Sequence, residues 1–159
     1  MTYKGTYRTA SGKGVAELLM ALGEHALTDM GAELYEEGSG IIVQAQGLVP
    51  VATGALRSSG YTAEPERVGD LVRVELGFGG PAAKINPKTG QSTEGYGLRV
   101  HEDLDAFHKV GEAMFLQQPF MWAQQGMAER IAEGLRKRGF GRYQESMTGA
   151  LGEVADGGA

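Results

Sequence analysis

Val15, Leu18, Leu19, Leu22, Ala26, Met30 and Leu34 recur at steps of three and four residues, which places them on one face of an α-helix. Ile41, Ile42 and Ala45 continue the stripe beyond Gly38 and Gly40, two residues that weaken a helix interior. A helix from Val15 to about Gln46 would be roughly 48 Å long at 1.5 Å per residue, long for a small domain. In a chain of 159 residues, such an element is expected to pack on neighbouring molecules as well as on its own domain. Glu17, Glu24, Asp29, Glu33, Glu36 and Glu37 fall on its other faces.

Leu48 to Leu56 contains Pro50, Thr53 and Gly54: a helix stop, a side chain that can bond nearby backbone, and a residue permitting positive φ. A sharp corner into a strand over Arg57–Thr62 follows. Leu71 to Phe78 alternates, with Val72, Val74, Leu76 and Phe78 on one face, and predicts a second strand paired with the first as an antiparallel hairpin across 64–70. The segment 79–95, rich in Gly, Pro, Asn and Thr, reads as a loop, and the alternation in Tyr96–His101 predicts a third strand. Pro119 suits the first turn of a second helix with Phe120, Ala123, Met127, Ile131 and Leu135 inside and Gly139 at its end. The fold class expected is α+β: a long N-terminal helix and a C-terminal helix packed on a small antiparallel sheet of three or four strands. One domain spans 15–140, between a flexible arm (1–14) and a flexible glycine-rich tail (141–159).

Composition narrows the function classes. The absence of cysteine removes disulfides, thiol nucleophiles and thiolate metal sites together. No window approaches the ~18 apolar residues of a membrane span, and the polar start lacks the apolar core of a secretion signal, so synthesis in a cytoplasm is expected. A net charge of −5 argues against a general nucleic-acid binder, but charge comes in blocks. Lys4, Arg8 and Lys13 stand in a stretch without acids, residues 15–47 hold six acids and no Lys or Arg, and Arg136, Lys137, Arg138 and Arg142 cluster near the end. Cations also belong at a helix C-terminus, where the dipole favours them.

Three segments together resemble the neck or tail-completion proteins, also called head-tail joining or minor capsid proteins, of long-tailed double-stranded DNA bacteriophages. Leu48-Val-Pro-Val-Ala-Thr-Gly-Ala-Leu-Arg-Ser-Ser59 is similar to that family's "vPvdTG.Lr.S" element after a long first helix, with Ala52 where an acidic residue is frequent. Tyr96-Gly-Leu-Arg-Val-His-Glu102 is similar to its "YA..vH/E" strand, and Gly111-Glu-Ala-Met-Phe-Leu-Gln-Gln-Pro-Phe120 to its "G.akFL..Pl" element before the last helix. The resemblance implies structural roles for Pro50, Thr53, Gly54, Leu56, Arg57, Ser59, Tyr96, His101, Phe115, Leu116, Pro119 and Phe120, with Phe115, Leu116 and Phe120 as core plugs.

His101-Glu102-Asp103-Leu104-Asp105-Ala106-Phe107-His108 gathers two imidazoles and three carboxylates, so metal or acid–base chemistry has to be weighed. A helical zinc motif needs histidines four apart with a glutamate between, whereas these lie seven apart. No nucleophile elbow surrounds Ser58 or Ser59 and no phosphate loop is present. No catalytic residue, metal or cofactor is expected.

The family resemblance implies a non-catalytic virion protein made in the host cytoplasm and placed at the head-to-tail junction. There identical copies form a ring, sixfold by the symmetry of such tails, beside other neck, connector and tail proteins and around double-stranded DNA that passes without sequence-specific binding. Lys4, Arg8, Glu33, Glu36, Arg136, Lys137, Arg138 and Arg142 are the candidate contacts between subunits. A tail terminator or another minor capsid role is the structural alternative. A small metal-dependent hydrolase using His101, Glu102 and His108 is the alternative of another class.

Overall fold

The computed structural model describes residues 15–69, 71–105 and 110–152, with side chains over 23–69, 71–105 and 110–139. Helix α1, Val15–Leu48, has 34 residues and runs unbroken through Gly38 and Gly40. Gly38 and Gly31 serve packing: a Cβ at Gly38 would come to 3.2 Å from side-chain carbons of Thr62 and Leu76, and one at Gly31 to 2.9 Å from Pro65. With Ala45, wholly buried, they are spaced by seven residues, about two turns, and let the hairpin lie directly on the helix backbone.

Four short strands make one hairpin in two pieces. β1 (Gly60–Thr62) pairs antiparallel with β4 (Leu76–Phe78), Tyr61 opposite Gly77. β2 (Glu66–Val68) pairs antiparallel with β3 (Leu71–Arg73), Arg67 opposite Val72. Pro65, which has no amide hydrogen to give to a ladder, stands in the interruption between the two pieces. Along the return strand Val72, Val74, Leu76 and Phe78 are half-buried while Leu71, Arg73 and Glu75 are exposed, the alternation read from the sequence. The architecture is α+β as expected, with its strands divided between two two-stranded sheets.

Five local expectations are corrected. Arg57–Ser59 is a 3-10 turn rather than the start of a strand, because the Ser58 and Ser59 hydroxyls donate back to the carbonyls of Ala55 (3.0 Å) and Leu56 (2.7 Å). Tyr96–His101 lies in helix α2, Thr93–Glu102, not in a third strand. Ser92 Oγ accepts from the Glu94 amide at 3.3 Å and caps the helix, and Tyr96 and Val100, which share a face in an alternating strand, are four apart and so share a helical face as well, the one that meets the core. The 79–95 loop holds a 3-10 turn at Gly80–Ala82, an isolated bridge between Ile85 and Ser92, and the start of α2. The C-terminal helix is two helices, α3 (Gln117–Gln124) and α4 (Met127–Gly152), parted at Gly126 with φ 71°. Gly139 does not end α4, and the tail expected from residue 141 begins as helix. Lys4 and Arg8 lie outside the described residues, as does the Arg142 side chain.

The core sits at the C-terminal end of α1. Val49, Leu56 and Phe115 are buried together, with Leu48, Phe78, Tyr96, Val100 and Leu116 around them. Phe78 meets Phe115 edge to face at 5.2 Å between centroids. Ile41, Ile42 and Ala45 extend burial back along α1.

Candidate assembly surface

The corner that follows α1 is built as its turn chemistry predicts. Gly54 has φ 79°, Thr53 Oγ1 accepts from the Ala55 amide at 3.5 Å, and Arg57 Nη2 donates to the Val49 carbonyl at 3.3 Å, capping the helix end. Gln46 Nε2 donates to the Arg57 carbonyl at 3.2 Å, so helix and turn clasp each other. Arg57 Nε is buried with no hydrogen-bond partner among the described residues. Ser59, wholly buried, accepts at its hydroxyl from the Gly79 amide at 3.1 Å and ties the corner to the end of β4. Gly111, φ 87°, presses on the same corner: a Cβ there would stand 2.5 Å from the Pro50 nitrogen and 2.6 Å from the Leu48 oxygen. Its neighbour Glu112 donates its amide to that Leu48 carbonyl at 2.9 Å. The first and third sequence motifs are therefore one structural joint, and Tyr96 of the second motif packs on it from α2.

His101 belongs to the same joint. Its ring stands edge-on to Phe115 at 4.9 Å, and Nε2 is buried without a partner among the described residues. Burial pushes its pKa below the ordinary imidazole value, with the Glu102 carboxylate opposing. The imidazole acts here as an aromatic wall. Among the described residues no three His, Asp or Glu side chains converge to hold a metal, and His108 lies outside them.

Phe115 is 2 % exposed and Leu116 packs beside it, but Phe120 is 41 % exposed and is not a core plug. Pro119 is the buried residue of α3, and the next residue points about 100° away from it. Phe120, Met121 and Trp122 thus form a row of large exposed apolar side chains, and Trp122 lies beside Gly40, Ile41 and Gln44 of α1 in a groove of about 340 Å³. Val43 of α1, 67 % exposed, adds to the uncovered apolar surface.

The acidic face of α1 meets bases within the chain. Arg138 of α4 donates from Nε to Glu33 and from Nη2 to Glu36, both at 2.5 Å, and Arg130 donates to both Glu37 oxygens at 2.7 Å. These hydrogen bonds hold both guanidinium pKa values above their usual value. Glu33 is 9 % exposed and Asp29 6 %, so neither stands on an outer face as the helical wheel implied. Glu33, Glu36 and Arg138, expected at a contact between subunits, join two helices of one chain. Arg136 and Lys137 pair with Glu133 on α4 itself at 2.6 and 3.7 Å. Two signals for this seam were in the sequence: Arg130 and Arg138 lie eight apart on one helix face, and Gly134 stands midway between them. A Cβ at Gly134 would meet the Glu33 carboxylate where it now lies, so the glycine leaves room for that carboxylate beneath α4.

Among the described residues no helix is long and apolar enough to cross a membrane. No protein family, curated protein or solved structure matches the chain.

Proposed function

We propose that this protein is a structural component of the head-to-tail junction of a long-tailed phage, assembling as a ring around the passage of double-stranded DNA. The observation that carries the reading is the joint at the end of α1, where the first and third motif segments, 48–59 and 111–120, close on one another and the second packs against them. Their order along the chain is the order of the neck family. The uncovered side chains of Phe120, Met121 and Trp122 beside a helix of 34 residues support assembly, since large exposed apolar side chains close together mark an interaction surface. A ring needs two different patches on each copy that fit one another, and α3 offers one of them. Sixfold symmetry and the neighbouring neck, connector and tail proteins follow from the family reading, and the DNA would pass without sequence-specific contacts. A place as tail terminator differs only in the layer occupied.

A density map of the whole particle tests this, with native mass spectrometry of the purified chain beside it. A ring between head and tail is the expected result. A chain that remains monomeric and is missing from purified particles overturns the reading.

A further inference from the structure

Helix α4 meets α1 through a charged seam. Of its described side chains, 127–139, none is fully buried and Met127, Ile131 and Leu135 are half-buried; the ion pairs to α1 are Arg130 on Glu37 and Arg138 on Glu33 and Glu36, with Gly134 over Glu33. Residues 130, 134 and 138 are four apart and make one stripe that fits the acidic stripe 33, 36, 37. The guanidinium partners are partly exposed although Glu33 is nearly buried, and the seam lies apart from the core around Val49, Leu56 and Phe115, so it can open without disturbing that core. The connection to α3 is Gln125 and Gly126, both exposed, with Gly126 at φ 71°, and Arg130 of α4 donates across it to the Ala123 and Gln125 carbonyls at 2.7 and 2.8 Å. Short constrained connections of this kind favour exchange of an element between copies.

We propose that α4 is an exchangeable strap, which swings about Gly126 and seats its Arg130–Arg138 stripe on Glu33, Glu36 and Glu37 of a second copy. This deepens the ring reading by naming a contact that passes from each copy to the next. The ion pairs in the exchanged form are the same as in the closed form, so the balance is set by effective concentration, by the connection and by the Arg130 bonds to the Ala123 and Gln125 carbonyls that only the closed form makes. If Gln125, now at ψ 113°, and Gly126 both turn helical, α3 and α4 become one helix from Gln117 to Gly152 that reaches away from its own α1. The donated helix and the vacated acidic stripe are different patches on one copy, as a head-to-tail contact requires.

Charge exchange between two variants tests the strap. The first carries Glu33→Arg, Glu36→Arg and Glu37→Arg, and the second Arg130→Glu and Arg138→Glu. Neither can close its own seam, whereas each α4 matches the other variant's α1. Mixing is expected to yield heteromeric pairs by native mass spectrometry, and their absence from a mixture of folded variants overturns the proposal. Should either variant fail to fold, Gly126→Ala in the unaltered chain decides. The added methyl meets only ordinary contacts, the nearest at 3.5 Å from Arg130 Nη1, so it opposes the closed form through φ alone. The exchanged population should rise about fivefold, the equivalent of roughly 1 kcal/mol. No change overturns the strap. If wild-type rings form while both tests are negative, the strap fails and the ring reading stands. If exchange is seen but assembly stops at a dimer and the chain is missing from particles, the ring reading fails and the strap stands.

Discussion

Replacing Gly111 by alanine should be the most damaging single-methyl change at the joint. Gly111 sits at φ 87°, where any L-residue is strained by about 1 kcal/mol, and its new Cβ would fall 2.5 Å from the Pro50 nitrogen and 2.6 Å from the Leu48 oxygen. Those are backbone atoms of the corner and cannot rotate aside. Relief requires the 110–112 segment to lift, which breaks the hydrogen bonds from Glu112 N to Leu48 O (2.9 Å) and from Val51 N to Val110 O (3.3 Å), about 1 kcal/mol each. The sum is about 3 kcal/mol, a melting-point drop of about 10 °C for a domain of this size. Gly54→Ala is the control: φ is 79°, almost the same, but nothing lies within 4 Å of the added carbon, so the loss should stay near 1 kcal/mol. Urea titrations of both variants, with the slope compared to confirm that only stability has changed, measure the difference. Equal losses would refute the argument, since they would mean that φ alone matters and the joint is not close-packed.

Removing the guanidinium in Arg57→Ala should cost about 1 kcal/mol in a urea titration, because the Val49 carbonyl loses its cap. Lowering the pH should weaken the wild type more than His101→Phe: burial depresses the His101 pKa, so below about 6.5 the unfolded chain takes up the proton first and stability falls with pH. Urea midpoints at pH 7.5 and pH 5 give that comparison, and parallel slopes for the two proteins would contradict it. Met121→Ser, at a side chain 56 % exposed, should leave the melt within about 0.5 kcal/mol of wild type yet reduce oligomer in sedimentation. Glu33→Lys should lower the melting temperature more than Glu36→Lys, since the Glu33 side chain is 11 % exposed against Arg138 and that of Glu36 is 66 % exposed.

The local elements whose signal is written in adjacent residues were legible from the chain itself. The helical course of α1, the stop at Pro50, the positive φ at Gly54 and the alternation of Val72 to Phe78 all depend on neighbours in sequence and stand in the structure, whereas the face of α1 that packs was only partly legible, since Ala26 is exposed while Asp29 and Glu33 are buried. Tyr96–His101 could not be settled that way. A six-residue alternation also contains the four-residue spacing of a helix, and the cap at Ser92 with burial against Phe115 chose the helix. Whether Glu33 faced water, a neighbour or Arg138 was likewise undetermined, because a helical wheel shows faces and not what covers them. The packing of α4 on α1 decided it, through a contact made across 105 residues between Glu33 and Arg138. Long-range contacts of that kind depend on where whole elements pack, and only the tertiary structure supplies that.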